Sequence, residues 1–261
     1  MNTHTDLIPA DLREALRKLK GPGPVLVASD FDGTLAEIVE DPDAARPVPG
    51  AIEALANLAD APGTHALIVS GRGLDDLRRL AGSPPSIHLV ASHGAEWADG
   101  TPGATDAPDI DPQLKQQVAA ALEDILTLDP GLQLETKAAG FALHFRRALD
   151  RAAAAAADRA VQIATELGED SGVRVKHGKE VVELTLTDAT KGKALASVRN
   201  TLNARVALFL GDDKTDEEGF AGLADNDITV KVGQGDTIAR HRVISPAAVV
   251  AVLEHAASLR D

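Results

Sequence analysis

The chain has no cysteine and no tyrosine, and its aromatic content is a single tryptophan, Trp97, with five phenylalanines. Without cysteine there is no disulfide framework, no thiolate zinc site and no cysteine nucleophile. With aromatics at 2% of residues, the stacking platforms that hold single-stranded nucleic acid are missing too. No apolar run reaches the ~18 residues of a membrane span, and Met1-Asn2-Thr3-His4-Thr5-Asp6 lacks the basic and then apolar regions of a signal peptide. We therefore expect a cytoplasmic protein with no membrane partner. Positive charge is scarce as well: 26 Lys and Arg stand against 40 Asp and Glu, a formal net charge of -14. Such a surface repels nucleic acid and acidic lipid. A small anion, neutralised by a metal ion and a few local cations, remains an accessible ligand.

At 261 residues, with 44% hydrophobic and 25% charged side chains, the chain has the composition of a folded protein and the length for one large α/β domain or a core with an insertion. Apolar runs at 25–28, 66–69 and 89–91 alternate with helical spacing at 51–58 and 74–80. The pattern returns as a helix at 191–202, a strand at 206–210, a helix at 217–223 and strands at 228–230 and 243–244. This alternation predicts a Rossmann-like parallel sheet with helices on both faces. A Pro, Gly and Asp-rich stretch at 99–112 reads as a crossover linker. After it come a helix (112–126), two strands (132–137, 141–146), a helix (149–167) and two more strands (173–177, 181–186). That order predicts an antiparallel sheet backed by helices, an α+β cap over residues 106–186, inserted between core segments 1–105 and 187–261. The alanine run at 152–157 suits a packed helix, since alanine has the highest helix propensity.

Ligands of open parallel sheets bind at the carboxyl ends of the strands, and three runs end there in polar groups: Asp30, Ser70 and Asp212. Asp and Ser also cap helices that follow strands, so context has to separate the two uses. In Asp30-Phe31-Asp32-Gly33-Thr34, two carboxylates two apart on extended backbone point the same way and need a cation or a shared proton. A second acidic cluster, Gly211-Asp212-Asp213-Lys214-Thr215-Asp216-Glu217, follows another strand of the same sheet. Carboxylate oxygens without His or Cys suit a hard cation, Mg²⁺ above all when phosphate completes its shell.

The Asp30 to Thr34 segment, Ser70-Gly71-Arg72, Thr190-Lys191-Gly192 and the 211–217 segment resemble, in order, the four motifs of the haloacid dehalogenase superfamily of phosphotransferases. The 211–217 segment, Ser92-His93-Gly94-Ala95-Glu96, Glu135-x-Lys137 with His144-x-Arg146, and Gly178-Lys179-Glu180-Val181-Val182-Glu183 are similar to trehalose-6-phosphate phosphatases, over about residues 25–253. Thr190 stands where that family more usually has Asn, and Ala139 where it often has Ser; neither change removes a charge. The resemblance implies a haloacid dehalogenase-like core acting on a small-molecule sugar phosphate, trehalose 6-phosphate; we expect a monomer. It implies Asp30 as nucleophile, Asp32 as general acid and base, and Ser70 and Lys191 as phosphate holders. Mg²⁺ would be held by Asp30, Asp212, the backbone carbonyl of Asp32 and waters fixed by Asp216. Arg72, His93, Gly94, Glu96, Lys137, Lys179 and Glu183 would contact substrate. His144 and Arg146 are set aside, because alternating His-x-Arg is commonly a solvated sheet face. A phosphatase for another sugar phosphate (sucrose or mannosylglycerate type), a phosphomutase or transferase, and a non-catalytic sugar-phosphate-binding regulator are the competing readings.

Overall fold

The computed structural model describes residues 7–82, 84–106, 108–168, 171–178 and 180–260, in two compact units, Met1–Thr105 with Ala189–Asp261 and Asp106–Asp188. Along the chain come α1 (Ala10–Leu16), β1 (Val25–Ser29), α2 (Ala51–Asp60), β2 (Thr64–Val69), α3 (Leu74–Ala81), β3 (Ile87–Ala91) and β4 (Glu96–Trp97). The second unit contributes α4 (Pro112–Ile125), β5 (Gln133–Lys137), β6 (Gly140–His144), α5 (Asp150–Leu167), β7 (Arg174–Gly178) and β8 (Val181–Thr185). The first unit resumes with α6 (Lys191–Thr201), β9 (Val206–Gly211), α7 (Lys214–Ala221), β10 (Ile228–Val232), β11 (His241–Val243) and α8 (Pro246–Ala257).

In the first unit the strand order is β11-β10-β9-β1-β2-β3-β4. Every pairing is parallel except β3 with β4, whose antiparallel register sets Val90 opposite Trp97. The central strands are apolar without interruption because both faces are covered. Val25 and Val27 of β1 pack with Leu12, Leu55, Leu77 and Leu253 on one side. Leu26 and Ala28 pack with Leu195, Val198 and Phe220 on the other. Neither α1 nor α8 was expected from the sequence. α8 is apolar nearly all round, with Val249, Val250, Val252 and Leu253 buried, so it carries no 3.6-residue stripe to announce it. α7 begins at Lys214 rather than 217 because Asp213 and Asp216 form a capping box, which supplies the otherwise unpaired backbone N–H groups of the first turn.

The second unit is an antiparallel sheet of order β5-β6-β8-β7. Leu143, Val182, Phe141 and Leu184 face Val118, Leu122, Ala156, Ala160 and Ile163 of α4 and α5, so Ala156 of the expected run does pack a helix onto a sheet. Register places Glu135, Ala142, Glu183 and Lys176 in one row on the other face, and period-two alternation adds Lys137 and His144 to it. Among the described residues, no helix is long and apolar enough to cross a membrane.

Candidate active site

β1 lies between β2, its sequence neighbour, and β9 from the far end of the chain. Where strand order reverses in this way, the loops after adjacent strands diverge and leave a crevice. Asp30 and Asp212 follow the two strands at that crevice, and Asp30 is tied across it by its N–H donating to the Leu210 carbonyl at 2.9 Å. Gly33 has φ +77°, and a Cβ there would run into the Asp212 carboxylate. Only glycine lets the loop after β1 come this close.

Asp30, Asp212 and Asp216 each offer an oxygen within 4.8 Å of the others, a group able to hold a metal ion. Lys191, only 2% exposed, places its ammonium 2.9 Å from Asp30 Oδ1 and 2.7 Å from Asp216 Oδ1. Asp216 Oδ2 accepts from the N–H groups of Asp212 at 2.9 Å and Asp213 at 3.0 Å. Asp216 thus accepts three hydrogen bonds from protein donors and organises the turn. No hydrogen bond among the described residues reaches the Asp212 carboxylate. A second buried lysine, Lys231 of β10, donates to the Asp212 carbonyl. Sequence reasoning missed it, although a lysine inside the apolar run Ile228-Thr229-Val230-Lys231-Val232 is a readable signal of a buried charge with a partner. With both lysines, the four carboxylates of Asp30, Asp212, Asp213 and Asp216 leave two negative charges uncompensated when all are ionised. The all-oxygen donors and that residual charge fit Mg²⁺.

Electrostatics follow from this crowding. Burial, then the charge of Asp216, pushes the Asp30 carboxyl well above the ordinary range, against the pull of Lys191. Burial and the neighbouring Asp216 and Asp213 raise Asp212 to about 7. Asp216 is also raised, mainly by burial. Burial opposes the Lys191 charge, but Asp216 and Asp30 outweigh it and hold the ammonium above its usual value. Asp213 goes the other way: despite burial, Lys191 and the hydrogen bonds from Thr215 and Asp216 keep it low. Unfolded carboxyls ionise near 3.8, so between about pH 4 and pH 7 the folded, metal-free state binds more protons than the unfolded one. The stability that these carboxyls contribute is full below that window and is lost as pH rises through it. His65, His88 and His255, whose pKa values burial lowers, act in the opposite sense below about pH 6.5. EDTA-treated protein should melt lower at about pH 8 than at about pH 5, and Mg²⁺ should raise Tm more at the higher pH. A Mg²⁺-induced rise in Tm that is no larger at about pH 8 than at about pH 5 would contradict the assignment.

The two carboxylates of the Asp30-x-Asp32 pair do not share a partner, contrary to the expectation that they point the same way. β1 ends at Ser29 and the chain bends at Phe31, sending Asp32 to Arg72, whose Nε and Nη2 donate to its two oxygens at 2.7 Å each. Arg72 Nη2 also donates to the Pro42 carbonyl at 2.9 Å. Arg72, expected at the substrate, is thus engaged with Asp32. Ser70 is buried, and its Oγ accepts from the Arg72 N–H at 3.2 Å. His93 lays its ring over Gly71, and Gly94 (φ +109°) brings the loop against α6, where a Cβ would stand 2.9 Å from the Thr190 carbonyl. Ser92 Oγ donates to Glu96 Oε1. In the second unit, Lys137 Nζ lies 2.5 Å from Glu183 Oε1. His144 Nε2 lies 2.8 Å from Glu135 Oε2, a cross-strand partner that the solvated-face reading did not foresee. Lys179 lies outside the described residues.

The trehalose-phosphatase family model matches residues 28–246. A trehalose-phosphate phosphatase of Mycobacterium marinum is 38% identical over an alignment covering 92% of this chain and 64% of that protein. The chain therefore spans less than two thirds of that relative's length. The C-terminal domain of C. albicans trehalose-6-phosphate phosphatase is 25% identical with a TM-score of 0.79, covering 96% of this chain and 98% of that domain. A sugar phosphatase of the haloacid dehalogenase superfamily, 16% identical with a TM-score of 0.57 and covering 85% of this chain and 94% of its own, shares the fold. From the match over residues 28–246 and the mycobacterial identity together, the chain belongs to the trehalose-phosphatase family.

Proposed function

We propose that this protein is a Mg²⁺-dependent phosphatase that hydrolyses trehalose 6-phosphate through an aspartyl phosphate on Asp30. The observation that carries the reading is the buried Lys191 ammonium shared by Asp30 and Asp216 beside an unbonded Asp212 carboxylate. That arrangement suits an incoming phosphoryl group and a cation. Asp30 attacks phosphorus as the bond to the sugar oxygen breaks, giving an acyl phosphate. Asp32 delivers a proton to the departing oxygen, then takes one from the water that hydrolyses the intermediate. Both its oxygens are held by Arg72, so one of those bonds has to open first. Lys191 and Ser70 hold phosphate oxygens, and such positioning is the larger part of catalysis in phosphoryl transfer. Asp30, Asp212, the Asp32 carbonyl and waters on Asp216 would hold Mg²⁺, which when bound offsets repulsion between carboxylate and phosphate.

Sugar recognition draws on Arg72, His93, Gly94 and Glu96 of the first unit and on Lys137, Lys179 and Glu183 of the second, which acts as the cap. The test is phosphate release from trehalose 6-phosphate, glucose 6-phosphate and sucrose 6-phosphate, with EDTA and with Mg²⁺. We expect no release in EDTA and, with Mg²⁺, a kcat/KM for trehalose 6-phosphate at least about 10²-fold above the others. A preference for another sugar phosphate would replace the substrate, and undiminished release in EDTA would replace the metal role.

A further inference from the structure

The chain leaves β3 through a turn in which Ser92 (φ 47°), His93 (φ 56°) and Gly94 (φ 109°) are all left-handed. For the first two this backbone is strained by the side chain, and such strain persists only where the surroundings over-determine it. Here the Ser92 N–H donates to the Arg72 carbonyl at 2.7 Å and the His93 N–H to the Ser70 carbonyl at 2.9 Å, which locks the turn onto the loop after β2. Those two bonds use backbone atoms, so glycine at 92 would keep them with less strain. What serine adds is its hydroxyl, 6% exposed as a residue, donating to Glu96 Oε1. Glu96 is only partly buried, and its Oε2 accepts no hydrogen bond from the described residues.

We propose that Ser92 is a positioning residue for substrate recognition: it orients the Glu96 carboxylate so that Oε2 accepts a hydroxyl of the polyhydroxylated leaving group. This rests on the functional reading above, in which Glu96 is a sugar contact. A bond made through Glu96 to a remote hydroxyl acts on binding, whereas the reacting phosphate is handled by Asp30, Ser70 and Lys191.

The experiment compares wild type, Ser92→Gly and Ser92→Ala on trehalose 6-phosphate and on p-nitrophenyl phosphate, which has no sugar hydroxyl, with Tm recorded for each. For Ser92→Gly we expect KM for the sugar phosphate to rise about 10-fold, kcat and the p-nitrophenyl phosphate constants to stay within about twofold, and Tm to hold or rise. Ser92→Ala, which keeps the strain, should show the same KM with a lower Tm. Adding Glu96→Ala to Ser92→Gly should raise KM less than Glu96→Ala does in wild type, because the two act through one contact. An unchanged KM in both serine variants, or equal losses on both substrates, overturns the assignment. Wild type that cleaves p-nitrophenyl phosphate but not trehalose 6-phosphate rejects the functional reading instead, and this role with it.

Discussion

Replacing Asp30 with asparagine is expected to lower phosphate release by at least about 10⁴-fold while leaving the protein folded. The amide cannot form the phosphoenzyme, so the loss falls on the chemical step. Structure should survive because burial and Asp216 already push the Asp30 carboxyl well toward its neutral form, and an asparagine resembles that form in shape and charge. Lys191 retains Asp216 at 2.7 Å, so no buried cation is stranded. In metal-free buffer the variant should melt at the wild-type temperature or above it. Rapid-quench trapping should find a hydroxylamine-sensitive phosphate on wild type and none on the variant. Residual turnover above about 1% of wild type would mean that water attacks phosphorus directly and Asp30 serves another purpose.

The second large effect is expected from Lys191→Met, which should damage rate and stability together. Lys191 is fully enclosed, with two carboxylates within 3 Å of its ammonium. Removing the cation of such a buried pair costs about 3–5 kcal/mol, because charged partners are left uncompensated. The partners can escape part of that cost by taking up protons, and both Asp30 and Asp216 already resist ionising. The destabilisation should therefore be small at about pH 5 and grow toward about pH 8, as the folded state is forced to ionise them. Rate should fall by about 10³-fold, the scale of losing one charge aimed at the transition state. Melting curves at both pH values and kcat with saturating Mg²⁺ decide the matter. A variant with wild-type Tm at high pH would show that Lys191 is not what balances the acidic cluster.

Much of the fold was legible because its signals are local. The strands of the first unit read as short apolar runs, and the 112–167 stretch alternated between helical and strand periods at positions close to those observed. The failures have physical causes. α8 lacks an amphipathic stripe because it is buried nearly all round, and β4 is a two-residue edge strand, too short for an alternation to register. α7 starts earlier than its apolar pattern because its first turn is stabilised by polar capping groups, Asp213 and Asp216.

By itself, the sequence determined which chemical groups stand at strand ends. Asp30, Ser70 and Asp212 follow apolar runs, Gly33 permits a turn, and Thr190 caps α6, donating no charge of its own but accepting the Lys193 N–H at 3.1 Å. Each of these depends on residues within a few positions of one another, where period and propensity act. Which charges meet was decided by the tertiary structure. Arg72 closes on Asp32 across 40 positions, Lys191 on Asp216 across 25, and Lys137 on Glu183 across 46. Lys231 reaches the Asp212 carbonyl from the neighbouring strand, and Ser92 is held in a left-handed turn by the loop after β2. Burial and charge proximity set the protonation of Asp30 and Asp212, and both exist only once strands distant in sequence lie side by side.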